Sequence, residues 1–172
     1  MYDCVMAESD PLRILLSHDR WATQTLLDVC AGLPDDHFHR RFDIGPGSLH
    51  DTVTHMIGAT QTWTQTLAGA EPGPRIEDDG QRRTPAELRP LFDAVWREFP
   101  AEVQRRPLDE MVTRRLRSGR TVHLTRGAVV THVATHGTHH RAQCLNMLRQ
   151  LGVKPLPPSS VTEWTWSEPP RA

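Results

Sequence analysis

The sequence predicts an all-α protein, a four-helix bundle with a long crossover loop and a small β-hairpin before the last helix. Three observations carry this expectation. Four segments repeat apolar residues at three- and four-residue intervals, each between recognisable start and stop residues. A stretch broken by Gly and Pro separates the second segment from the third. A short run of alternating branched residues precedes the fourth.

Asp10 followed by Pro11 starts the first helix, because the carboxylate caps free N–H groups and proline has none to lose in the first turn. Leu12, Leu15, Leu16, Ala22, Leu26, Leu27 and Cys30 then keep the helical period over roughly 20 residues, until Gly32 and Pro34 end it. A polar loop through Asp35, His37 and Arg41 leads to the turn at Gly45, Pro46 and Gly47. Ser48 caps a second helix, with Asp51 placed to complete a capping box, and Leu49, Val53, Met56, Ile57, Thr60, Trp63 and Leu67 form its apolar stripe.

From Gly69 to Arg83 the residues Gly69, Pro72, Gly73, Pro74 and Gly80 break the chain too often for regular structure, which makes this the crossover loop. Thr84, Pro85 and Glu87 combine cap, first-turn proline and capping-box acid, and Leu88, Leu91, Phe92, Val95, Trp96, Phe99 and Val103 line one face of the third helix before Pro107. Met111 to Leu124, folded about Ser118 and Gly119, predicts the hairpin. Thr125 opens the last helix, which carries Val129, Val133, His136, His140, Leu145, Leu148 and Leu151 before Gly152. In the tail, Trp164 and Trp166 lie among Pro155, Pro157, Pro158, Pro169 and Pro170, and the two tryptophans are expected to pack it onto the body.

At 172 residues the chain suits one domain, residues 1–172, with one core. Hydrophobic residues are 37%, charged residues 24% and the net charge is -1, which favours neither disorder nor nucleic-acid binding. Arg114, Arg115, Arg117 and Arg120 form a basic run, read as a solvated face. Cys4, Cys30 and Cys144 are widely spaced and contain no CxxC pair, which fits a reducing, cytoplasmic setting. Met1 to Asp10 has acidic residues and no apolar core, so it does not resemble a signal peptide, and no run approaches the roughly 20 apolar residues of a membrane span. No nucleic-acid or membrane partner is expected.

The composition draws attention to 10 histidines, four of them between His132 and His140. Residues four apart advance about 40° around a helix, so His136 and His140 share a face and can point at one ion. Neutral imidazoles suit zinc, nickel, copper or iron, and a third ligand must come from another helix. His55, mid-helix beside the apolar stripe, is the best candidate. His132 is either a fourth ligand or an outer partner or packing residue; Cys144 extends the series and, given the drift, is expected to pack. His139 is turned about 100° from His140 and is expected to be exposed or to line the rim, His50 is expected to face solvent, and Asp51 either completes its cap or hydrogen-bonds His55.

The segment His132-Val-Ala-Thr-His136-Gly-Thr-His139-His140-Arg141-Ala-Gln143 closely resembles the last-helix signature of the DinB (damage-inducible) family of DinB/YfiT-like metalloenzymes. The similarity extends to the Leu33-Pro34 helix exit, the Ser48 start of the helix bearing His55, and the hairpin with Gly119; Ala142 stands where the family usually has glycine, and Cys144 where it tends to have an aliphatic residue. The resemblance implies a four-helix bundle holding one divalent transition metal, zinc or nickel, on His55, His136 and His140, and a homodimer. It also implies chemistry like that of thiol-dependent S-transferases.

Three neutral histidines leave a coordination position open, the layout of a catalytic zinc site, and a bound thiol or water there is deprotonated more easily. Val133 and Gly137 follow His132 and His136, so the Glu of an HExxH peptidase is missing. The reading reached is a metal-dependent S-transferase joining a low-molecular-weight thiol to a small electrophile. The alternatives are a non-catalytic, metal-stabilised stress-response protein and a hydrolase using metal-bound hydroxide. Arg141 and Gln143 flank the site and either orient a polar substrate or serve the helix surface through a salt bridge.

Overall fold

A computed structural model of the chain describes residues 8–116 and 118–167. Cys4, Arg117, Pro169 and Pro170, which figured above, lie outside the described residues. The elements are α1 (Pro11–Ala31), α2 (Asp35–Phe38), α3 (Leu49–Leu67), a 3-10 turn (Ile76–Asp79), α4 (Pro85–Gln104), β1 (Met111–Arg115), β2 (Thr121–Thr125), α5 (Arg126–Gln150) and α6 (Val161–Ser167). The bundle is α1, α3, α4 and α5, with α1 and α3 each packed between α4 and α5. The caps follow the expected residues: Asp10 accepts from Leu12 N–H, and Thr84 and Glu87 form a full capping box.

The core joins Leu26 and Leu27 of α1, Val53 and Ile57 of α3, Phe92, Trp96 and Phe99 of α4, and Val129, Val133 and Leu148 of α5. α3 is enclosed on most sides although it is rich in threonine. Its burial is tolerated because Thr60, Thr62, Thr64 and Thr66 each donate to the carbonyl four residues back, which satisfies those four hydroxyls. Arg126, wholly buried at the start of α5, donates to the carbonyls of Leu67 at 2.6 Å and Glu102 at 2.5 Å. That one side chain ties the ends of α3 and α4 to α5 and satisfies carbonyls near the helix C-termini.

β1 and β2 pair antiparallel, Met111 opposite Thr125 and Arg115 opposite Thr121. Inward and outward residues alternate along β1, so Val112 and Arg114 are buried while Arg115 is exposed. Arg114 therefore departs from the solvated face expected of the basic run. Three further expectations need correction. The polar loop after α1 contains α2, whose first turn holds Asp35 and Asp36 behind Pro34, a favourable charge at a helix N-terminus. The crossover loop contains the 3-10 turn. The tail forms α6, begun by reciprocal Ser160 and Glu163 hydrogen bonds; Trp164 lies 6.4 Å from the His18 ring, but Trp166 is 81% exposed.

Cys30 and Cys144 are free thiols buried in the core, as packing residues should be. Burial pushes the Cys144 thiol up to about 12, so it remains protonated. No helix among the described residues is long and apolar enough to cross a membrane.

Candidate metal centre

α3 and α5 are neighbours, and their contact brings His55 to His136 and His140. The Nε2 atom of His136 lies 3.1 Å from Nε2 of His55 and 3.1 Å from Nε2 of His140. Nitrogens bound to one tetrahedral ion at about 2.0–2.1 Å are separated by about 3.3 Å. The triangle therefore has the scale of a coordination site. Among the described residues, no fourth His, Cys, Asp or Glu joins this group.

The opposite ring nitrogens define which atoms carry protons. Nδ1–H of His55 donates to Glu77 Oε1 at 3.3 Å, and Nδ1–H of His140 donates to Gln143 Oε1 at 2.8 Å. The Gln143 amide nitrogen in turn donates to His139 Nε2 at 3.0 Å, which fixes the orientation of the amide. Burial acts to raise the Glu77 carboxyl, but hydrogen bonds from His55 and Arg75 hold it below its usual range, so it is an ionised acceptor. With both Nδ1 protons committed, the Nε2 atoms of His55 and His140 present lone pairs to His136. His136 can offer at most one Nε2–H, so at least one contact opposes two lone pairs. A cation between them turns that repulsion into attraction, and the donor set thus fits a divalent transition metal.

Burial, together with the neighbouring His140 and His55, pushes His136 down to about 3. It is neutral at physiological pH, as a ligand must be. The His55 side chain remains 27% exposed, so the centre can be reached from solvent. A cleft of about 490 Å³ opens beside it, lined by His39, Arg41, Asp51, Thr54 and Glu77.

Glycines seat both outer partners. A Cβ at Gly58, in the middle of α3, would collide with the Glu77 carboxylate, and one at Gly45 would collide with the Gln143 amide. Sequence reasoning missed Glu77, which lies in an aperiodic loop; the available signal was Gly58, an isolated glycine inside a helix, where close approach by another group is the usual reason.

The other sequence candidates separate clearly. Gln143 reaches the centre through His140, whereas Arg141 points away and forms a buried ion pair with Asp19 of α1, supported by Thr23 at 3.1 Å. Burial raises the Asp19 carboxyl to about 6 against the pull of Arg141. His132 stands outside the triangle, 5.1 Å from the Trp63 ring and 5.4 Å from the His136 ring. His139 is on the exposed rim. His50 does not face solvent: it is 8% exposed, accepts from the Arg83 backbone N–H at 3.1 Å and donates Nδ1–H to Asp51 at 2.9 Å. Asp51 also binds Arg41, so its carboxylate does not complete the Ser48 cap, although its N–H does reach Ser48. The role at His55 offered to Asp51 belongs to Glu77.

The DinB family model matches residues 6–171. The chain is 22% identical to Protein DinB of Bacillus subtilis (strain 168), over 83% of this chain and 87% of that one. With a match running almost end to end and three histidines close enough to hold a metal ion, the chain belongs to the DinB family.

Proposed function

We propose that this protein is a metal-dependent S-transferase, using one zinc or nickel ion on His55, His136 and His140 to join a low-molecular-weight thiol to a small electrophile. The observation that carries it is the convergence of three Nε2 atoms whose rings are oriented from behind by Glu77 and Gln143. When bound, the ion supplies a Lewis-acid centre that lowers the pKa of a thiol at its open position. The protein's own contribution is to hold His136 and His140 neutral, to turn the His55 and His140 rings correctly, and to leave one side accessible through the exposed edge of His55.

Thiol transfer suits this centre better than hydrolysis because, among the described residues, no further His, Cys, Asp or Glu joins the three nitrogens to act as a general base. Glu77, the nearby carboxylate, already accepts from His55 and Arg75. The reading includes a homodimer, tested by light scattering on the full chain. The function is tested by loading the protein with zinc or nickel and offering bacillithiol, mycothiol or glutathione with monochlorobimane. A metal-dependent fluorescent adduct, lost in His136→Ala, is expected; no adduct with any of the three thiols overturns the transferase reading.

A further inference from the structure

Arg114 is a buried cation without a hydrogen-bonding partner among the described residues. It lies 8% exposed on the inward face of β1, its guanidinium 4.0 Å from the centroid of the Trp63 ring. Its Nε and Nη1 are enclosed and donate to no described residue. Arginine keeps its charge under all ordinary conditions, and a stack on an aromatic face leaves the edge of the guanidinium to be satisfied by acceptors. Among the described residues none provides one. A second guanidinium adds to the problem: burial, with the charge of Arg75 added, pulls Arg114 below its ordinary range. A buried cation with unsatisfied donors is the reverse of what a structural contact needs.

The position of this cation links it to the histidine centre. On one side, Trp63 contacts His132, and His132 contacts His136. On the other, Arg75 donates to Glu77 at 3.1 Å, and Glu77 holds His55. The first line of contact begins at the Arg114 stack on Trp63, and both end on a histidine of the triangle. α3 supplies Trp63 and His55 two turns apart on neighbouring faces, and it packs directly on β1.

We propose that Arg114 is an oxyanion-binding site for a carboxylate carried by the small molecule that reacts at the three-histidine centre. This rests on the small-molecule reading given above and adds its charge class. A carboxylate supplies acceptors to the orphaned Nε–H and Nη1–H and neutralises a charge that the fold otherwise buries alone. The carboxylate can belong to the thiol or to the electrophile, since the site recognises only the group they share.

Calorimetric titration of succinate, with its diamide as the uncharged control, into metal-free full-length protein tests the site without requiring catalysis. Saturable binding of succinate alone is expected, weakened roughly ten- to hundredfold in Arg114→Gln and less in Arg114→Lys, which keeps the charge. No saturable binding, or equal affinity in wild type and Arg114→Gln, overturns the proposal. Should Arg114→Gln fail to fold, the affinity of Arg114→Lys decides between the same two outcomes: weakening supports the site, and wild-type affinity overturns it. Metal-loaded protein then identifies the carrier. A preference for mercaptoacetate over 2-mercaptoethanol that depends on Arg114 assigns the carboxylate to the thiol; an Arg114-dependent preference for bromoacetate over bromoacetamide assigns it to the electrophile. Absence of thiol transfer with succinate still bound through Arg114 refutes the transferase and leaves the anion site standing.

Discussion

His136 and His140 stand one turn apart on α5, and Gln143, which orients His140, follows on the same helix at 2.8 Å. His55 stands on α3 and is oriented by Glu77, a crossover-loop residue 22 positions further along, at 3.3 Å. One half of the centre is therefore built by local helical geometry, while the other depends on a loop being folded against a glycine. The difference teaches where the site is vulnerable. A helix holds its own neighbours in place, but a loop residue stays in position only through the contacts that seat it.

The largest effect should come from the residue common to both halves. His136 Nε2 is within 3.1 Å of each of the other two, so His136→Ala leaves two nitrogens on different helices with no ligand between them. Metal analysis of protein purified without an affinity tag should fall from about one equivalent to near zero. The melting temperature should then no longer respond to a chelator. Full metal retention in this variant would remove the central claim.

The second test separates the halves. Gly58→Ala adds one methyl to α3 and displaces Glu77 from behind His55, leaving all three ligands present. Metal affinity, measured by competition with a chromophoric chelator, should weaken roughly 10–100-fold, the usual cost of losing such an outer partner. Glu77→Gln should produce a smaller loss of the same kind, since it keeps an acceptor but not the charge. Equal affinity in Gly58→Ala and wild type would show that the loop does not orient His55.

A third test uses acid on the metal-free protein. His136 is depressed from 6.5 to about 3, so between those values the unfolded chain binds a proton that the folded chain refuses. Stability from this group is complete above about pH 6.5 and falls as pH drops toward about 3. Asp19 acts oppositely: raised from 3.8 to about 6, it takes up its proton earlier in the folded chain and partly offsets the loss over that narrower window. His140, also depressed by burial, adds to the His136 effect. Denaturant midpoints should therefore decrease from pH 7 to pH 4, and the decrease should be shallower in His136→Ala. A flat profile would contradict the buried, neutral state of the α5 pair.

The same contrast explains what could be read in the sequence. The four bundle helices were legible because their apolar periods and caps are local signals, and the α5 pair because four-residue spacing fixes a shared face. His55 was legible as a polar residue beside an apolar stripe. Glu77 was not, because nothing local tells a loop carboxylate which helix it will touch. His50 and Asp51 were misassigned for a related reason: the Arg83 backbone N–H, brought in by the crossover loop, holds His50 inward, and His50 and Arg41 take the Asp51 carboxylate. Arg114 was hidden by composition. Counting arginines gave a solvated run, whereas the period of two along β1 sets Arg114 on the same inward face as Val112.

The smallest expected effect tests the local half. Gln143→Leu removes the acceptor for His140 Nδ1–H but leaves that ring anchored on α5 one turn from His136 and 8% exposed. The ring is confined by its own helix and by burial, so the lost hydrogen bond affects mainly the tautomer. Metal affinity should decline about tenfold or less, at the low end for an outer partner. Gly45→Ala should do less than Gly58→Ala for the same reason, since the Gln143 amide is the flexible end of a helix-borne side chain and can shift, although a φ of 50° adds backbone strain to the turn. If Gln143→Leu instead weakened metal as much as Gly58→Ala, the two halves would be equally dependent on their outer partners. Orientation by helix geometry would then be worth no more than orientation by a loop.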